Sequence, residues 1–167
     1  MKAASRRRSA IATACAVLFA AAVQASPLPD GLPALPGLSE LMQRDRRSGL
    51  ALRGFDPVAY RSTGRATPGQ SEHELIADGI VWRFASAANL AAFRDAPEIY
   101  APAFGGFDPV GIAAGAIVDS DPQMFAIRHG RLFLFHSADS RARFAAESEL
   151  LRKAEELWPS LLVTLAR

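Results

Sequence analysis

The chain has 167 residues, half of them hydrophobic, and carries a formal net charge of +2 at pH 7. That length is enough for one ordinary domain core. Four of the 19 basic residues and none of the 17 acidic residues lie in the first 25 positions, so the remainder has a net charge of −2. The charge therefore gives no support for binding to nucleic acid or to an anionic membrane.

Residues 1–25 have the composition of a secretory signal peptide. A basic start (Lys2, Arg6–Arg8) precedes an apolar stretch from Ala10 to Val23 and a small residue at Ala25. A transmembrane anchor is the competing interpretation, but the stretch is shorter than the ~20 residues that cross a bilayer. We therefore predict a periplasmic or secreted protein with no membrane span after cleavage, exported by either the general or the twin-arginine route.

Cys15 is the only cysteine, and it lies inside this apolar stretch. A lipoprotein that carries its lipid on Cys15 is an alternative, although the apolar run continues past that position. After cleavage at Ala25, the mature chain would have no disulfide, no thiolate nucleophile and no cysteine metal ligand.

Residues 26–49 are predicted to be a proline-rich tether and a short helix. Residues 26–38 are rich in proline and glycine, which sustain neither a helix nor a central strand. Ser39 could cap a short helix that contains the charged run from Arg44 to Arg47 and ends near Gly49.

An internal duplication follows. The motif GFDPV occurs at 54–58 and again at 106–110, and further matches such as Ser86 with Ser137 recur nearly the same distance apart. We expect one duplicated domain over 50–160, with units of about 50–104 and 105–160 and a C-terminal tail at 161–167.

Each unit has the pattern of a β-hairpin. Asp78-Gly79 separates the β-prone runs 75–77 and 80–84, and His129-Gly130 separates the runs 125–127 and 132–135. Such pairs favour two-residue turns with positive φ at both central positions. The first register places Glu74 opposite Arg83.

Each hairpin leads into a predicted helix. Ser86 and Ser137 are suited to cap helices over 87–95 and 138–158, the first stopping before Pro97 and the second before Pro159. A small antiparallel sheet followed by a helix, twice, predicts an α+β fold packed as one domain.

These blocks resemble the exported bacterial branch of the YHS-domain family. The resemblance is carried by five segments of the sequence: GFDPVAY (54–60), VWRFASAANLAAF (81–93), PEIYAPAFGGF (97–107), Asp121-Pro122 and Leu157-Trp158-Pro159. Phe135-His136-Ser137 is similar to the tripeptide that names the family. The resemblance implies two tandem YHS-like units. It also implies a connection with metals, since YHS domains occur in heavy-metal transport ATPases, usually with cysteines.

The chain departs from that pattern where the cysteines would be. Asp108 stands where relatives often have a cysteine, and Ala59 and Ala88 stand at two other such positions. Thiol-based metal or redox chemistry of the kind that relatives perform is therefore not expected, and a transition metal is possible only through other ligands.

Asp56 and Asp108 occupy equivalent positions before proline, which favours an extended or turn conformation. In one interpretation, each carboxylate caps nearby backbone N–H groups in an Asx turn. In the other, the two form a pair across a pseudo-twofold axis that binds a hard cation or acts as acid and base. The sequence favours the turn because it needs only local contacts.

His136 and Tyr60 complete the set of candidate ligand-binding residues. His136 ends a strand beside a helix N-terminus, where an imidazole could bind a metal or an anion, or could simply hydrogen-bond across the hairpin. Tyr60 could line a pocket, although core packing would also account for it.

The sequence contains no Walker loop, dinucleotide fingerprint, HExxH, GxSxG or CxxC motif. We therefore expect a binding or accessory module more than an enzyme, with an unidentified small ligand or a metal ion held near Asp108 and His136. An acid–base enzyme that uses the same two residues is the alternative. A third hypothesis is a protein-interaction module that uses the tether and the terminal helix.

Overall fold

Two β-hairpins, each followed by a helix, organise the chain in the computed structural model. The structure describes residues 42–45 and 47–165, which all belong to one compact unit. The predicted signal peptide and the tether residues 26–41 lie outside the described residues. Helices and two-stranded antiparallel sheets together confirm the α+β class.

The first half begins with a 3-10 segment and ends with two consecutive helices. Its elements are Leu52–Gly54 (3-10), α1 (Ala59–Ser62), β1 (Gln70–Ala77), β2 (Ile80–Phe84), α2 (Ala87–Asp95) and α3 (Pro97–Tyr100).

The second half repeats this order and then adds a long helix. Its elements are Ala103–Gly106 (3-10), α4 (Pro109–Ala113), β3 (Asp121–Arg128), β4 (Arg131–Phe135), α5 (Ala138–Ala146) and α6 (Glu149–Leu165).

The hairpin turns have the predicted conformation. Asp78 and Gly79 have φ values of 51° and 73°, and His129 and Gly130 have 49° and 70°. Positive φ at both central residues gives the turn a twist that matches the strands. The predicted contact between Glu74 and Arg83 is also present, at 2.5 Å.

The predicted serine caps are present as well. The Ser86 hydroxyl accepts from the Asn89 N–H at 3.2 Å, and the Ser137 hydroxyl accepts from the Ser140 N–H at 3.1 Å. Each bond satisfies one backbone donor that has no partner within its helix.

The two halves pack through β4, which is buried on both faces. Leu132 and Leu134 contribute to the first hydrophobic cluster, with Trp82, whereas Phe133 and Phe135 contribute to the second. In β2, by contrast, burial alternates along the strand. The halves therefore share one strand between two cores.

The predicted helix over 138–158 is wrong in its extent. It breaks at Glu147, which is extended (φ −105°, ψ 99°), so that α5 and α6 are separate helices. The break lets Phe144 pack beside Phe133 while α6 places Trp158 against Phe104. Helix α6 also continues through Pro159 into residues 161–165, which were predicted to belong to a tail. Proline has no N–H to donate to the carbonyl four residues earlier, and that carbonyl belongs to the exposed residue Glu155.

The short helix predicted to end near Gly49 is absent from the described residues 42–45 and 47–49. The Asp45 carboxylate accepts from the N–H groups of Arg47 and Ser48, at 3.0 and 2.8 Å, and closes a turn. Such side-chain bonds compete with helix formation. Arg44 instead forms a β-bridge with Ala51.

None of the helices in the described ranges combines the length and apolarity that crossing a bilayer requires.

Candidate functional site

Asp56 is completely buried (0% exposed), and its carboxylate accepts four hydrogen bonds. One oxygen accepts from the backbone N–H groups of Val58 (2.8 Å) and Ala59 (3.3 Å) at the start of α1. The other accepts from the Ala85 N–H (2.8 Å) and the Asn89 amide (2.6 Å). This one side chain therefore joins α1, the end of β2 and the first turn of α2.

Asp108 does the same in the second half, where it is 3% exposed. It accepts from the Val110 N–H (2.9 Å) in α4, from the His136 N–H (3.1 Å) at the end of β4 and from the Ser140 hydroxyl (2.5 Å) in α5. Both aspartates therefore cap nearby backbone N–H groups in a turn, as predicted. Each carboxylate also accepts hydrogen bonds from residues about 30 positions later in the chain, which the sequence did not predict. Each carboxylate bonds to groups of its own half.

His136 meets Asp108 through its backbone N–H and not through its ring. The imidazole is exposed, and its Nδ1 lies 2.9 Å from the carbonyl oxygen of Asp119. The structure thus brings the two candidate residues together in space, but it directs the carboxylate and the imidazole to different partners.

Tyr60 lies in the first hydrophobic cluster with 0% exposure. Its ring packs edge-on against Phe125 at a centroid distance of 4.8 Å, and its hydroxyl donates to the Pro122 carbonyl at 2.9 Å. Burial, followed by the negative charges of Asp121 and Asp56, raises the pKa of Tyr60 well above its usual range. Tyr60 therefore connects the two halves.

Replacement of Tyr60 by phenylalanine tests this connection. At pH 7 we expect Tyr60→Phe to lower the free energy of unfolding by about 1 kcal/mol, because the buried Pro122 carbonyl loses its donor. Because the pKa of Tyr60 is higher in the folded than in the unfolded state, its contribution to stability is fully present below pH ~10. This contribution is lost as the pH rises towards the folded-state pKa, since the unfolded chain ionises first. Above pH 10 the wild type should therefore lose ~1.4 kcal/mol per pH unit relative to the variant.

Urea unfolding of both proteins at pH 7 and pH 11 measures the effect. A stability difference between them that is the same at both pH values would contradict a buried, protonated Tyr60.

A groove of about 1210 Å³ lies where the N-terminal described segment meets both halves. Its walls come from four parts of the chain: residues 42–45 with Arg47, residues 52–53, residues 106–107, and residues 117–120 with Pro122. Leu134 and His136 of the β4 region complete the lining. His136 is thus the one sequence-predicted candidate that lines this groove, whereas Asp56, Asp108 and Tyr60 are not part of its lining.

A polar network fixes one wall of the groove. Gln43 exchanges hydrogen bonds with Ser120, donating to its carbonyl (3.2 Å) and accepting from its N–H (2.9 Å) and its hydroxyl (3.0 Å). The Ser120 hydroxyl lies 2.6 Å from the Gly106 carbonyl oxygen, and the Gln43 N–H donates to the Gly105 carbonyl at 2.7 Å. The described residues around Gln43 are thereby attached to the second half.

Among the described residues, three arginines line the groove: Arg44, Arg47 and Arg53. Two carboxylates, those of Asp45 and Asp119, are also present in its lining. Hydrogen bonds from the Ser48 N–H and hydroxyl and from the Arg47 N–H hold the pKa of Asp45 below its usual value, with a smaller contribution from the Arg47 charge. With three arginines and two aspartates, the described lining thus has an excess of positive charge.

Backbone strain is concentrated beside this groove. Leu52, Arg53 and Gly54 all have positive φ, and Phe104, Gly105 and Gly106 repeat that conformation in the second half. A left-handed conformation costs a residue other than glycine about 1 kcal/mol. Arg53 therefore takes a conformation for which the second half has a glycine, at Gly105.

No three His, Cys, Asp or Glu side chains come together as metal ligands within residues 42–45 and 47–165. Compared with known proteins, the sequence matches no family model, no curated protein and no solved structure.

Sequence reasoning missed the groove arginines. The charged run from Arg44 to Arg47 is predicted to be part of a helix, and no motif of the sequence includes Arg53. One signal was available: at a spacing of 52 residues, Leu52-Arg53-Gly54 corresponds to Phe104-Gly105-Gly106. Arg53 stands where the second copy of the duplicated turn has a glycine, and this difference points to a functional role for the arginine side chain.

Proposed function

We propose that the protein is an exported YHS-domain protein, periplasmic or secreted, that binds a small organic molecule in this groove. The two halves would be tandem YHS-like units. The resemblance of the GFDPV and Phe-His-Ser segments supports the family, and the recurrence of the same carboxylate contacts at Asp56 and Asp108 supports the duplication. The basic, apolar and small-residue order of residues 1–25 supports export.

The groove is the observation that carries the binding role. Its volume of about 1210 Å³ exceeds the ~300–1,000 Å³ of most small-molecule sites, so a ligand would fill only part of it. Its lining combines the apolar Met42, Leu52 and Leu134 with several polar groups. The Gln43–Ser120 network holds one wall in place, so that little ordering is needed when a ligand enters.

An organic ligand is favoured over a metal ion and over acid–base catalysis. Among the described residues, the groove lining contains one histidine, two aspartates and three arginines, a poor environment for a cation. The Asp108 carboxylate is 3% exposed, accepts hydrogen bonds from three elements and is not part of the groove lining, so a substrate in the groove would not contact it.

Amide chemical-shift mapping tests the binding role. The mature protein would be titrated with neutral, anionic and cationic small molecules and separately with zinc, copper and iron salts. We expect shifts at Gln43, Leu52, Ser120 and His136 with at least one organic compound, and none at Ile76, an exposed residue of β1 outside the groove lining. Shifts at these positions with a metal alone would favour the metal-binding alternative, and shifts with no compound would contradict a binding groove.

A further inference from the structure

We propose that the ligand of the groove is a small polyanion that bears carboxylate or phosphate groups, and that Arg53 is its principal contact. This inference rests on the proposed binding function and adds the chemical class of the ligand.

The groove arginines keep most of their hydrogen-bonding capacity. The salt bridges among the described residues employ Arg83, Arg131, Arg143 and Arg152 and no arginine of the groove. Arg53 donates to the Ser120 carbonyl at 3.2 Å, and Arg44 donates to the Gly79 carbonyl at 3.3 Å. A guanidinium has five N–H donors, so each can still bind a carboxylate or a phosphate through two parallel bonds.

The two aspartates of the groove offset only part of this positive charge. The Asp45 oxygen that accepts from the Ser48 hydroxyl (2.8 Å) also accepts two backbone N–H groups, so the carboxylate is directed into its own turn. Asp119 is exposed, and its backbone carbonyl rather than its carboxylate contacts His136. The described lining therefore keeps three guanidinium groups against two carboxylates, one of which is engaged in its own turn.

The backbone at Arg53 identifies this residue as the principal contact. Its φ and ψ of 50° and 29° lie in the left-handed region, where Gly105 of the second half has 57° and 21°. Glycine adopts that conformation without strain. An arginine that takes the strained position and lines the groove contributes its side chain at the expense of stability, as residues at binding sites often do.

Calorimetric titration of the mature protein with citrate and with inorganic phosphate tests the inference. We expect binding of at least one of the two, and the stronger of them distinguishes a carboxylate from a phosphate ligand. Arg53→Gly should weaken that binding by about tenfold or more, because one bidentate charged contact is lost. Its melting temperature should stay within about 3 °C of the wild type, because relief of the strained conformation offsets the lost Ser120 contact.

Two further variants serve as controls. Arg65→Gly removes the same charge from an exposed position outside the groove and should leave the affinity unchanged. Asp119→Asn should strengthen binding of an anion, whereas it would weaken binding of a cation.

The outcomes separate this inference from the proposed function. If a neutral compound shifts the groove amides and binds Arg53→Gly as tightly as the wild type, the binding function stands and the polyanion inference fails. Equal losses of affinity in Arg53→Gly and Arg65→Gly would also overturn it, since only the overall charge would then matter. If no probe of any charge perturbs the groove, both fail.

Discussion

Asp56→Ala should lower the free energy of unfolding by about 4 kcal/mol, a large part of the total stability of a domain of this size. The substitution leaves the Val58, Ala59 and Ala85 N–H groups and the Asn89 amide without their acceptor in a site that is 0% exposed. Each buried donor that loses its partner costs about 1–3 kcal/mol, and water that enters the vacated space recovers part of that cost.

Asp56→Asn should cost about half as much. Its amide oxygen can still accept from Val58 and Ala59, and Asn89 can rotate to present its own oxygen to the new NH₂ group. The Ala85 N–H would then face a second donor. The graded loss from asparagine to alanine would distinguish hydrogen bonding from the mere filling of space.

Urea denaturation followed by the fluorescence of buried Trp82 and Trp158 gives the free energies. Asp95→Asn, at the exposed end of α2, is the matched control and should change stability by no more than about 0.5 kcal/mol. If Asp56→Ala lowered the free energy of unfolding no more than the control does, the carboxylate would not stabilise the fold. Ligand binding would then be the better explanation for Asp56.

The same contacts explain why GFDPV occurs twice. In each copy the aspartate ends an extended segment, caps the following short helix and reaches the strand end and the helix of its hairpin unit. Alanine or asparagine could not accept the same set of donors. The repeat is therefore a requirement of folding, and it needs no shared ligand.

Local chemistry made much of the fold predictable from the sequence. Asp78-Gly79 and His129-Gly130 specify their turns, and Ser86 and Ser137 specify their helix starts, because each acts on atoms only a few residues away. The burial of β4 on both faces could also be predicted, because residues 132–135 of this strand are all apolar. In β2, by contrast, one face carries Arg83.

The groove could not be predicted in the same way, because it depends on contacts between segments far apart in the chain. Gln43 and Ser120 are 77 residues apart, and nothing in either neighbourhood indicates their pairing. Leu52 and Arg53 both have positive φ, which residues other than glycine disfavour. Backbone propensities therefore do not predict the left-handed turn at these two positions. The break at Glu147 likewise follows from two different packing partners, Phe133 for α5 and Phe104 for α6.

Gly69→Ala should lower the free energy of unfolding by about 3 kcal/mol, for a steric reason alone. A Cβ at this position would lie 2.5 Å from the backbone carbonyl carbon of Arg83 and 2.7 Å from its carbonyl oxygen. Backbone atoms of β2 cannot move aside as a flexible side chain would. The Gly69 N–H also donates to the Gly54 carbonyl at 2.8 Å, so a displaced Gly69 would pull on the left-handed turn that carries Arg53.

Gly64→Ala is the matched comparison, since it is the same substitution but should lower the free energy of unfolding through backbone strain and not through steric overlap. Nothing lies within 4 Å of a Cβ at Gly64, but its φ of +67° is strained for alanine, and we expect a loss of about 1 kcal/mol. Urea unfolding of the two variants separates steric overlap from backbone strain. Equal losses would mean that β1 and β2 can separate at no added cost near Gly69.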